Sequence, residues 1–379
     1  MTVSLGIPLM PGRVDPSIPP RPAGVKGLVD RYDRVATDLR VSLTDRCNLR
    51  CTYCMPADGL PWLDREQALS ADEIVRLVRI AVTDLGVRQV RFTGGEPLLR
   101  GDLVEIIERC AALEPRPELS LTTNAIGLAE RASALAAAGL DRVNVSLDSL
   151  HAETFANLTR RPFLQRVLDG VDAAARVGLG PIKINAVLLR GVNDHEAPAL
   201  VAWALANGHE LRFIEQMPLD ADHTWSRDTM VTAADVRGLL ASRFELTPAD
   251  EPRDGAPAER FAVRERPRQA GPHGPDALGP EPVTSAVAPP LTGTIGIIAS
   301  VTEPFCADCR RTRLTAEGSV RSCLFSHTET DLRGALRGGD PDEVVADLWR
   351  GAMWAKPAGH GLDDPAFVQP ARSMSAIGG

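Results

Sequence analysis

Short runs of β-branched and apolar residues alternate with amphipathic helical patterns from about residue 38 to residue 214. Six runs predict strands, at residues 39–43, 89–93, 118–122, 142–147, 182–188 and 210–214. The helical patterns between them carry end signals, such as Ser70 before residues 71–85 and Gly139 after residues 129–138. This alternation predicts successive parallel βα units and therefore an α/β fold. Six units suit an open barrel, although periodicity alone does not separate a barrel from a flat, doubly wound sheet.

Two segments depart from the alternating pattern. Residues 1–32 are rich in proline and predict a mobile tail. Residues 248–290 contain ten prolines, and the later part, about 265–290, predicts a disordered Pro/Gly-rich insertion because it lacks the apolar residues that build a core. We therefore divide the chain into the tail, a barrel over residues 33–230 and a C-terminal region over residues 231–379.

The composition, with 44% hydrophobic and 24% charged residues, is typical of a globular enzyme. The 42 basic and 50 acidic side chains give a net charge of -8, which argues against a general nucleic-acid binder. The first residues lack the basic and apolar regions of a secretory signal, and no stretch reaches the length of a membrane span. We therefore expect a cytoplasmic protein that binds neither nucleic acid nor membranes. A homodimer stays open, because composition does not determine oligomeric state.

Three cysteines within eight residues, Cys47, Cys51 and Cys54, form what we call the first triplet. Three thiolates can hold three corners of an iron–sulfur cube and leave the fourth iron open to a substrate. Two other interpretations remain. The same spacing gives a buried helical stripe, and three cysteines could bind zinc with a distant fourth ligand.

The second triplet consists of Cys306, Cys309 and Cys323, and it also lacks an obvious fourth ligand. The alternative here is a structural zinc site completed by His327, because Cys-x2-Cys followed by Cys and His falls within zinc-binding patterns. The seventh cysteine, Cys110, lies in an apolar helical pattern and is expected in the core. A disulfide framework is not expected in a chain of this length without a secretory signal.

Polar residues also stand where strands of an α/β protein place their chemistry. The sequence Thr-Gly-Gly-Glu-Pro at 93–97 follows the second predicted strand, and its glycines allow the backbone to approach a ligand closely. Arg40, Arg91 and Lys183 interrupt otherwise apolar strands, where an unpaired charge is costly to bury. We expect these three side chains to face an anion.

The first triplet, with Tyr53 before its last cysteine and Gly-Gly-Glu-Pro some forty residues later, resembles the signature of radical S-adenosylmethionine (SAM) enzymes. The second triplet and the terminal Gly378-Gly379 narrow this resemblance to the GTP 3',8-cyclases of molybdenum cofactor biosynthesis, from about residue 33 to residue 379. The resemblance implies a partial (β/α)6 radical-SAM barrel with a C-terminal extension that carries a second iron–sulfur cluster. It also implies two 4Fe–4S clusters and SAM as cofactors.

The resemblance assigns roles to individual residues. The first triplet is implied to hold cluster 1, and the second triplet cluster 2. The implied SAM contacts are Tyr53, Gly95, Glu96, Ser146 and Met217, and the implied GTP contacts are Arg40, Arg91, Thr122, Lys183, Arg311, Thr312 and Arg313. Arg311, Arg313, Gly378 and Gly379 are implied to act in catalysis. The two glycines would enter the active site at the end of a tail that Ile377 anchors in an apolar groove.

The implied reaction converts GTP to (8S)-3',8-cyclo-7,8-dihydroguanosine 5'-triphosphate, the first step of molybdenum cofactor biosynthesis. Its implied partners are the cyclic pyranopterin monophosphate synthase downstream and an electron donor of the flavodoxin or ferredoxin type. Two alternatives remain: a radical SAM peptide-modifying enzyme with an auxiliary cluster, and a zinc-dependent binding module without catalysis. One residue departs from the family pattern. Ala125 follows Asn124 where these enzymes usually have glycine, which puts the local turn geometry in question.

Overall fold

The computed structural model describes residues 18–267 and 289–377. Twelve strands within these ranges form one sheet. In chain order they are β1 (Asp38–Ser42), β2 (Gln89–Thr93), β3 (Glu118–Thr123), β4 (Arg142–Ser146), β5 (Lys183–Val187), β6 (Glu210–Ile214), β7 (Phe244–Pro248), β8 (Glu259–Glu265), β9 (Thr292–Ile298), β10 (Arg311–Leu314), β11 (Ser319–Arg321) and β12 (Thr330–Asp331). All six predicted strands are confirmed, each within two residues of its expected bounds.

Ten α-helices in the described ranges connect or follow these strands. They are α1 (Ala71–Thr83), α2 (Leu103–Ala111), α3 (Leu128–Ala137), α4 (Ala152–Thr159), α5 (Leu164–Arg176), α6 (Ala197–Ala206), α7 (Ala233–Ala241), α8 (Arg333–Gly338), α9 (Asp342–Trp354) and α10 (Met374–Ile377). The expected end signals are present. Ser70 Oγ accepts from the Glu73 N–H at 3.2 Å, while Glu73 accepts from the Ser70 N–H at 2.8 Å, so α1 begins with a capping box. Gly139, after α3, has φ of +95°.

The sheet has a parallel centre and antiparallel edges. Its order is β12-β11-β10-β1-β2-β3-β4-β5-β6-β9-β8-β7, and every pair from β10 to β9 is parallel. The six-strand series predicted from the sequence thus gains a parallel neighbour from the C-terminal region on each side. The confirmed α/β fold is a partly open barrel, and the expected domain boundary at residues 230 and 231 separates segments that share one sheet.

The main apolar core lies between the sheet and its helices, and its largest fully buried side chains include Phe92, Phe155, Phe213 and Trp349. Cys110 on α2 is fully buried there, as its helical pattern predicts. This packing leaves the polar ends of the parallel strands to form the site described below.

The expected mobile tail over residues 1–32 needs a correction for its described part, residues 18–32. Leu28 is 0% exposed and belongs to the main core. The Trp354 indole N–H donates to the Pro19 carbonyl at 2.8 Å, and Arg21 forms an ion pair with Asp347 on α9. A Pro-rich segment can pack in this way because a single apolar side chain and its backbone carbonyls find partners on the body of the protein. Residues 1–17 lie outside the described ranges.

Most of the expected insertion, at residues 268–288, also lies outside the described ranges. The strands on either side of it are well defined. β8 and β9 pair in antiparallel fashion with Arg264 opposite Thr292, and the Glu265 N–H donates to the Leu291 carbonyl at 2.8 Å. The two ends of the insertion therefore leave the sheet side by side.

Candidate active site

Both cysteine triplets line a single cavity of about 320 Å³. Its wall comes from the carboxyl ends of the parallel strands, the loop after β1 and the segments around β10 and α10. This is the end at which α/β barrels place their chemistry. All seven cysteines are free. The structure thus brings together two groups of thiols that are some 250 residues apart in the chain.

The glycines of the Gly-Gly-Glu-Pro motif hold the loop that carries the first triplet. The Gly95 N–H donates to the Thr44 carbonyl at 2.7 Å, and the Glu96 N–H donates to the Arg46 carbonyl at the same distance. A Cβ atom on Gly94 or Gly95 would collide with the backbone of residues 44–46, and Gly94 has φ of +134°. The sequence predicted that these glycines let the backbone approach a ligand closely. In the structure they allow a close approach to the protein's own cysteine loop.

The Glu96 carboxylate joins the end of β2 to the end of β3. It accepts hydrogen bonds from the Thr123 hydroxyl at 2.7 Å, the Asn124 N–H at 2.7 Å and the Leu98 N–H at 2.9 Å. Burial raises the pKa of Glu96 to about 7, although these hydrogen bonds oppose the shift. The side chain fixes the two loops beside the first triplet.

The turn after β3 keeps its shape despite the alanine at position 125. Ala125 has φ of +62°, in the left-handed region where glycine carries no steric penalty. The cost of placing an L-residue there is about 1 kcal/mol. Gly170 of α5 allows the close approach, because a Cβ atom there would lie 2.5 Å from the Ala125 carbonyl oxygen. The departure from the family pattern adds strain but leaves the turn geometry intact.

The expected SAM contacts, Tyr53, Gly95, Glu96, Ser146 and Met217, all line the cavity, and Met217 packs in the apolar cluster that also contacts Cys323. The Tyr53 hydroxyl donates to Asp148 at 2.7 Å, and the other carboxylate oxygen of Asp148 accepts from the Val187 N–H at 2.9 Å. Burial raises the pKa of Asp148 to about 6. Sequence reasoning passed over Asp148, although its place two residues after β4 was a usable signal.

The thiols of the first triplet lie in surroundings that disfavour negative charge. Burial raises the pKa of all three, that of Cys54 to about 12. The carboxylate of Asp148 raises the pKa of Cys51 further, and that of Glu96 has the same effect on Cys47. Cations held close by, such as iron, would offset this cost, because coordination stabilises a thiolate.

The second triplet lies among positive charges instead. Burial raises the pKa of the Cys306 thiol, as at the first triplet, but at Cys309 the charges of Arg311 and Lys356 outweigh burial and lower the pKa to about 6. The Lys356 ammonium lies 3.4 Å from Cys309 Sγ.

His327, the candidate fourth zinc ligand, is exposed and does not line the cavity. In the described ranges, no group of three or more His, Cys, Asp and Glu side chains is arranged to hold a metal ion. Thiols spread over a cavity wall suit a cluster several atoms wide better than a single zinc ion.

Five arginines project into the cavity from four strands: Arg40, Arg91, Arg212, Arg311 and Arg313. The register places Arg40 directly opposite Arg313 on one side and Arg91 on the other. Burial and the nearby Arg40 and Arg311 lower the pKa of Arg313 to about 9. Asp38 lies 3.5 Å from Arg40 and Glu210 lies 2.8 Å from Arg212, but the five arginines outnumber these carboxylates. Like charges opposite each other on neighbouring strands destabilise a sheet, so the remaining positive charge suits a polyanionic ligand.

Two of the expected GTP contacts, Thr312 and Lys183, do not line the cavity. The Thr312 side chain is 0% exposed and its hydroxyl accepts from the Trp349 indole N–H at 2.9 Å, so it faces α9 and not the cavity. Side chains alternate along a strand, which turns residue 312 away when residues 311 and 313 face inward. Lys183 lies beside the cavity wall without lining it, 3.7 Å from Glu210. Thr122 does line the wall, as expected, and Arg212, which the sequence reasoning missed, supplies the inward charge near Lys183.

The last described residues reach both triplets. The Ser375 N–H donates to the Cys54 thiol, and Met374 and Ser375 line the cavity. Ile377 is 1% exposed and packs in a second apolar cluster with Leu219, Val301 and Phe325. The expectation that Ile377 anchors the tail in an apolar groove is confirmed. Gly378 and Gly379 lie outside the described ranges.

Two protein families match this chain. Residues 41–204 match the Radical SAM superfamily, and residues 281–362 match Molybdenum Cofactor Synthesis C. The chain is 60% identical over 369 residues to the GTP 3',8-cyclase of Paenarthrobacter nicotinovorans, covering 96% of this chain and 100% of the relative. It is also 60% identical to the GTP 3',8-cyclase of Streptomyces coelicolor, covering 94% of this chain and 97% of the relative. These relatives favour the cyclase over the peptide-modifying alternative.

The crystal structure of Streptococcus suis SuiB bound to S-adenosylmethionine has the same fold, with a TM-score of 0.56 over 86% of this chain and 69% of that one at 16% identity. No helix in the described ranges has the length and apolar character needed to cross a membrane. Sequence identity over nearly the whole chain, both matching domains and the shared fold agree. The chain belongs to the GTP 3',8-cyclase family of radical SAM enzymes, whose cofactors are SAM and two 4Fe–4S clusters.

Proposed function

We propose that this protein converts GTP to (8S)-3',8-cyclo-7,8-dihydroguanosine 5'-triphosphate, using SAM. The observation that carries the proposal is the single cavity in which two incomplete thiol triplets and five arginines converge. Each triplet leaves one iron of a cluster open, so one can bind SAM and the other the nucleotide. When bound, the first cluster supplies the electron that cleaves SAM to a 5'-deoxyadenosyl radical, which takes hydrogen from C3' of GTP.

The protein's own residues would bind and orient SAM at the first triplet. The Tyr53 hydroxyl is already committed to Asp148, so we propose that this ring packs against SAM while its hydroxyl holds the ring in place. Gly95 offers backbone atoms, Ser146 a hydroxyl and Met217 an apolar surface, and all three line the cavity. Glu96 contributes by fixing the loops around that wall, because its carboxylate is already hydrogen-bonded to the protein.

The arginine row would bind the triphosphate. Arg40, Arg91 and Arg313 lie in register on adjacent strands, and charged hydrogen bonds from a fixed row of guanidinium groups suit phosphate oxygens. Lys183 adds a further charge beside them, and Thr122 a hydroxyl on the wall. A contribution from Thr312 would come from its backbone only. Arg311, next to the second triplet, is suited to orient the guanine end and to stabilise charge on the closing ring.

We further propose that Gly378 and Gly379 enter the cavity and assist ring closure, since Met374 and Ser375 already line it and Ile377 is anchored nearby. The product would pass to a cyclic pyranopterin monophosphate synthase, and a flavodoxin- or ferredoxin-type protein would supply electrons. A cytoplasmic location fits the requirement for reduced cysteines. A homodimer remains part of this proposal.

The test is transfer of a labelled hydrogen under anaerobic conditions. Protein with about eight iron and eight sulfide per chain, as two 4Fe–4S clusters require, would be mixed with SAM, a chemical reductant and GTP deuterated at C3'. We expect deuterium in the 5'-deoxyadenosine and an isomer of GTP by mass spectrometry. ATP deuterated at C3' is the matched control and should give no transfer. Failure to transfer the C3' deuterium of GTP would overturn the proposal.

A further inference from the structure

Lys356, just after α9, contacts the second triplet and has no role in the function proposed above. Its side chain is 2% exposed. The ammonium group donates to the Cys309 carbonyl at 3.0 Å, the Arg311 carbonyl at 2.9 Å and the Cys309 thiol at 3.4 Å. An ammonium group has three N–H donors, so all of them are directed at the segment that carries Cys309.

The residues after Lys356 form a cradle around the same segment. The His360 N–H donates to the Cys306 thiol, so a second cysteine of the triplet receives a hydrogen bond from this stretch. Arg34 joins the two sides: its guanidinium donates to the Cys306 carbonyl at 2.7 Å, the Ala358 carbonyl at 2.8 Å and the Pro357 carbonyl at 2.5 Å. Residues 356–360 therefore lie fixed against two of the three cluster ligands.

We propose that Lys356 is a positioning residue for the second cluster, which fixes the Cys309 segment and sets the reduction potential of that cluster through its N–H···S hydrogen bond and its positive charge. Hydrogen bonds to ligand sulfurs and local net charge are two of the factors that determine the potential of an iron–sulfur cluster. The N–H···S hydrogen bond and the positive charge of Lys356 both stabilise the reduced, more negative cluster. Lys356 therefore raises the reduction potential of the second cluster. This inference rests on the second triplet holding a cluster, as in the function proposed above, but not on GTP turnover.

The chain suits a direct test because it contains only three lysines, Lys26, Lys183 and Lys356. The full-length protein would be prepared with Cys47, Cys51 and Cys54 replaced by alanine, so that the second cluster gives the only iron–sulfur signal. Iron analysis should give about four per chain, as one 4Fe–4S cluster requires. Redox titration followed by electron paramagnetic resonance then measures its potential. We expect Lys356→Met to shift the midpoint to a more negative value and exposed Lys26→Met to leave it unchanged.

A second measurement leaves Lys356 in place, so its result does not depend on whether the Lys356 variant assembles a cluster. Growth on ¹⁵N-lysine labels three side chains, and pulsed magnetic resonance on the reduced second cluster should detect a ¹⁵N coupling, because one labelled nitrogen donates to a ligand sulfur. No ¹⁵N coupling, or an unchanged midpoint in Lys356→Met with normal iron content, would overturn the role of Lys356. Absence of iron in the unsubstituted Lys356 background would instead count against the cluster itself.

Discussion

The two cysteine triplets share a cavity but lie in different electrostatic surroundings. The first has the carboxylates of Glu96 and Asp148 and the guanidinium of Arg50 as charged neighbours, and burial raises the pKa of its three thiols. The second has Arg311, Arg313 and Lys356 around it; burial still raises the pKa of Cys306, but the pKa of Cys309 falls to about 6 because Arg311 and Lys356 outweigh burial. The same three-thiol donor set is thus given two different environments.

The difference fits the two tasks that we propose for the triplets. A cluster near carboxylates resists accepting an electron and, once reduced, gives it up readily, which is what cleavage of SAM requires. A cluster surrounded by cations is suited to holding a polyanionic nucleotide close by without repelling it. The surroundings therefore tell the two triplets apart, although their donor sets alone do not. Five experiments test this difference between the triplets.

The largest effect is expected from removing a cysteine of each triplet. Cys51→Ala should abolish SAM cleavage, since the first cluster would lose a ligand, and with it all product. Cys309→Ala should keep some cleavage of SAM to 5'-deoxyadenosine but form no cyclised GTP. Chromatography of both products in an anaerobic assay makes the comparison, and Cys110→Ala in the core is the control. A Cys309 variant that cyclises GTP at nearly the parent rate would remove the distinction between the triplets.

The next largest effect is expected from removing Gly378 and Gly379. The described part of the tail touches the first triplet through Ser375 and the apolar cluster near Cys323 through Ile377, so a shortened end should leave both clusters and SAM cleavage intact. Formation of cyclised GTP should fall strongly. Iron content, 5'-deoxyadenosine and cyclised product would be measured on the same preparation. Normal cyclisation by the truncated protein would assign the tail a purely structural role.

Arg311→Ala and Arg313→Ala should each weaken GTP binding by about 1.5 to 3 kcal/mol, the usual worth of a hydrogen bond to a charged group. SAM binding should change little, because both arginines lie at the second triplet. Isothermal titration with each ligand measures this, with exposed Arg88→Ala as the control. Equal losses for GTP and SAM would mean that these arginines support the fold of the whole cavity.

The pH dependence of GTP binding should report on Lys183. Burial and the neighbouring Arg212 lower the pKa of Lys183 to about 8, so its charge is present below that pH and is lost as pH rises through it. Affinity for GTP should therefore fall about fivefold above pH 8, the difference between a charged and a neutral hydrogen bond. Lys183→Arg keeps its charge and should flatten the profile up to about pH 9, the pKa of Arg313. A profile identical in both proteins would assign the titration to another group.

The smallest effect on GTP binding is expected from Thr312→Val, because the side chain of residue 312 faces away from the cavity while those of residues 311 and 313 line it. The substitution leaves the buried Trp349 indole N–H without its acceptor, which costs about 1 to 3 kcal/mol of stability. The melting temperature should drop while the GTP affinity of the folded protein stays the same. Thr122→Val, on the cavity wall, should show the reverse. Loss of GTP affinity in the Thr312 variant would restore a substrate contact for its hydroxyl.

The sequence predicted those features that depend on local pattern. The six strands followed from apolar runs at regular spacing, and the cysteine triplets and glycine motif were found because their members are close together in the chain. The pairing of β10 with β1 could not be predicted, since register across nearly the whole chain has no local signal. Lys356 was missed for the same reason, whereas Arg212 interrupts the predicted strand at 210–214 as Arg91 interrupts its own, a local signal that could have found it. Whether the Thr312 side chain points into or away from the cavity depends on the bounds of its strand. Once those bounds are known, the alternation of side chains along the strand gives the direction.

The pairing of β1 with β10 also determines when, during synthesis, the protein can finish folding and receive its clusters. Asp38 finds its partner Arg311 only after more than two hundred further residues have been synthesised, so the first strand leaves the ribosome long before its neighbour. Contacts of such sequence separation form late and slow the folding of a chain. The edge of β1 and the cysteines that follow it therefore stay incompletely packed until residues 311–314 have been synthesised. Iron–sulfur delivery should succeed on the finished chain and fail on nascent chains that stop before residue 311, a timing that ribosome-bound fragments would reveal.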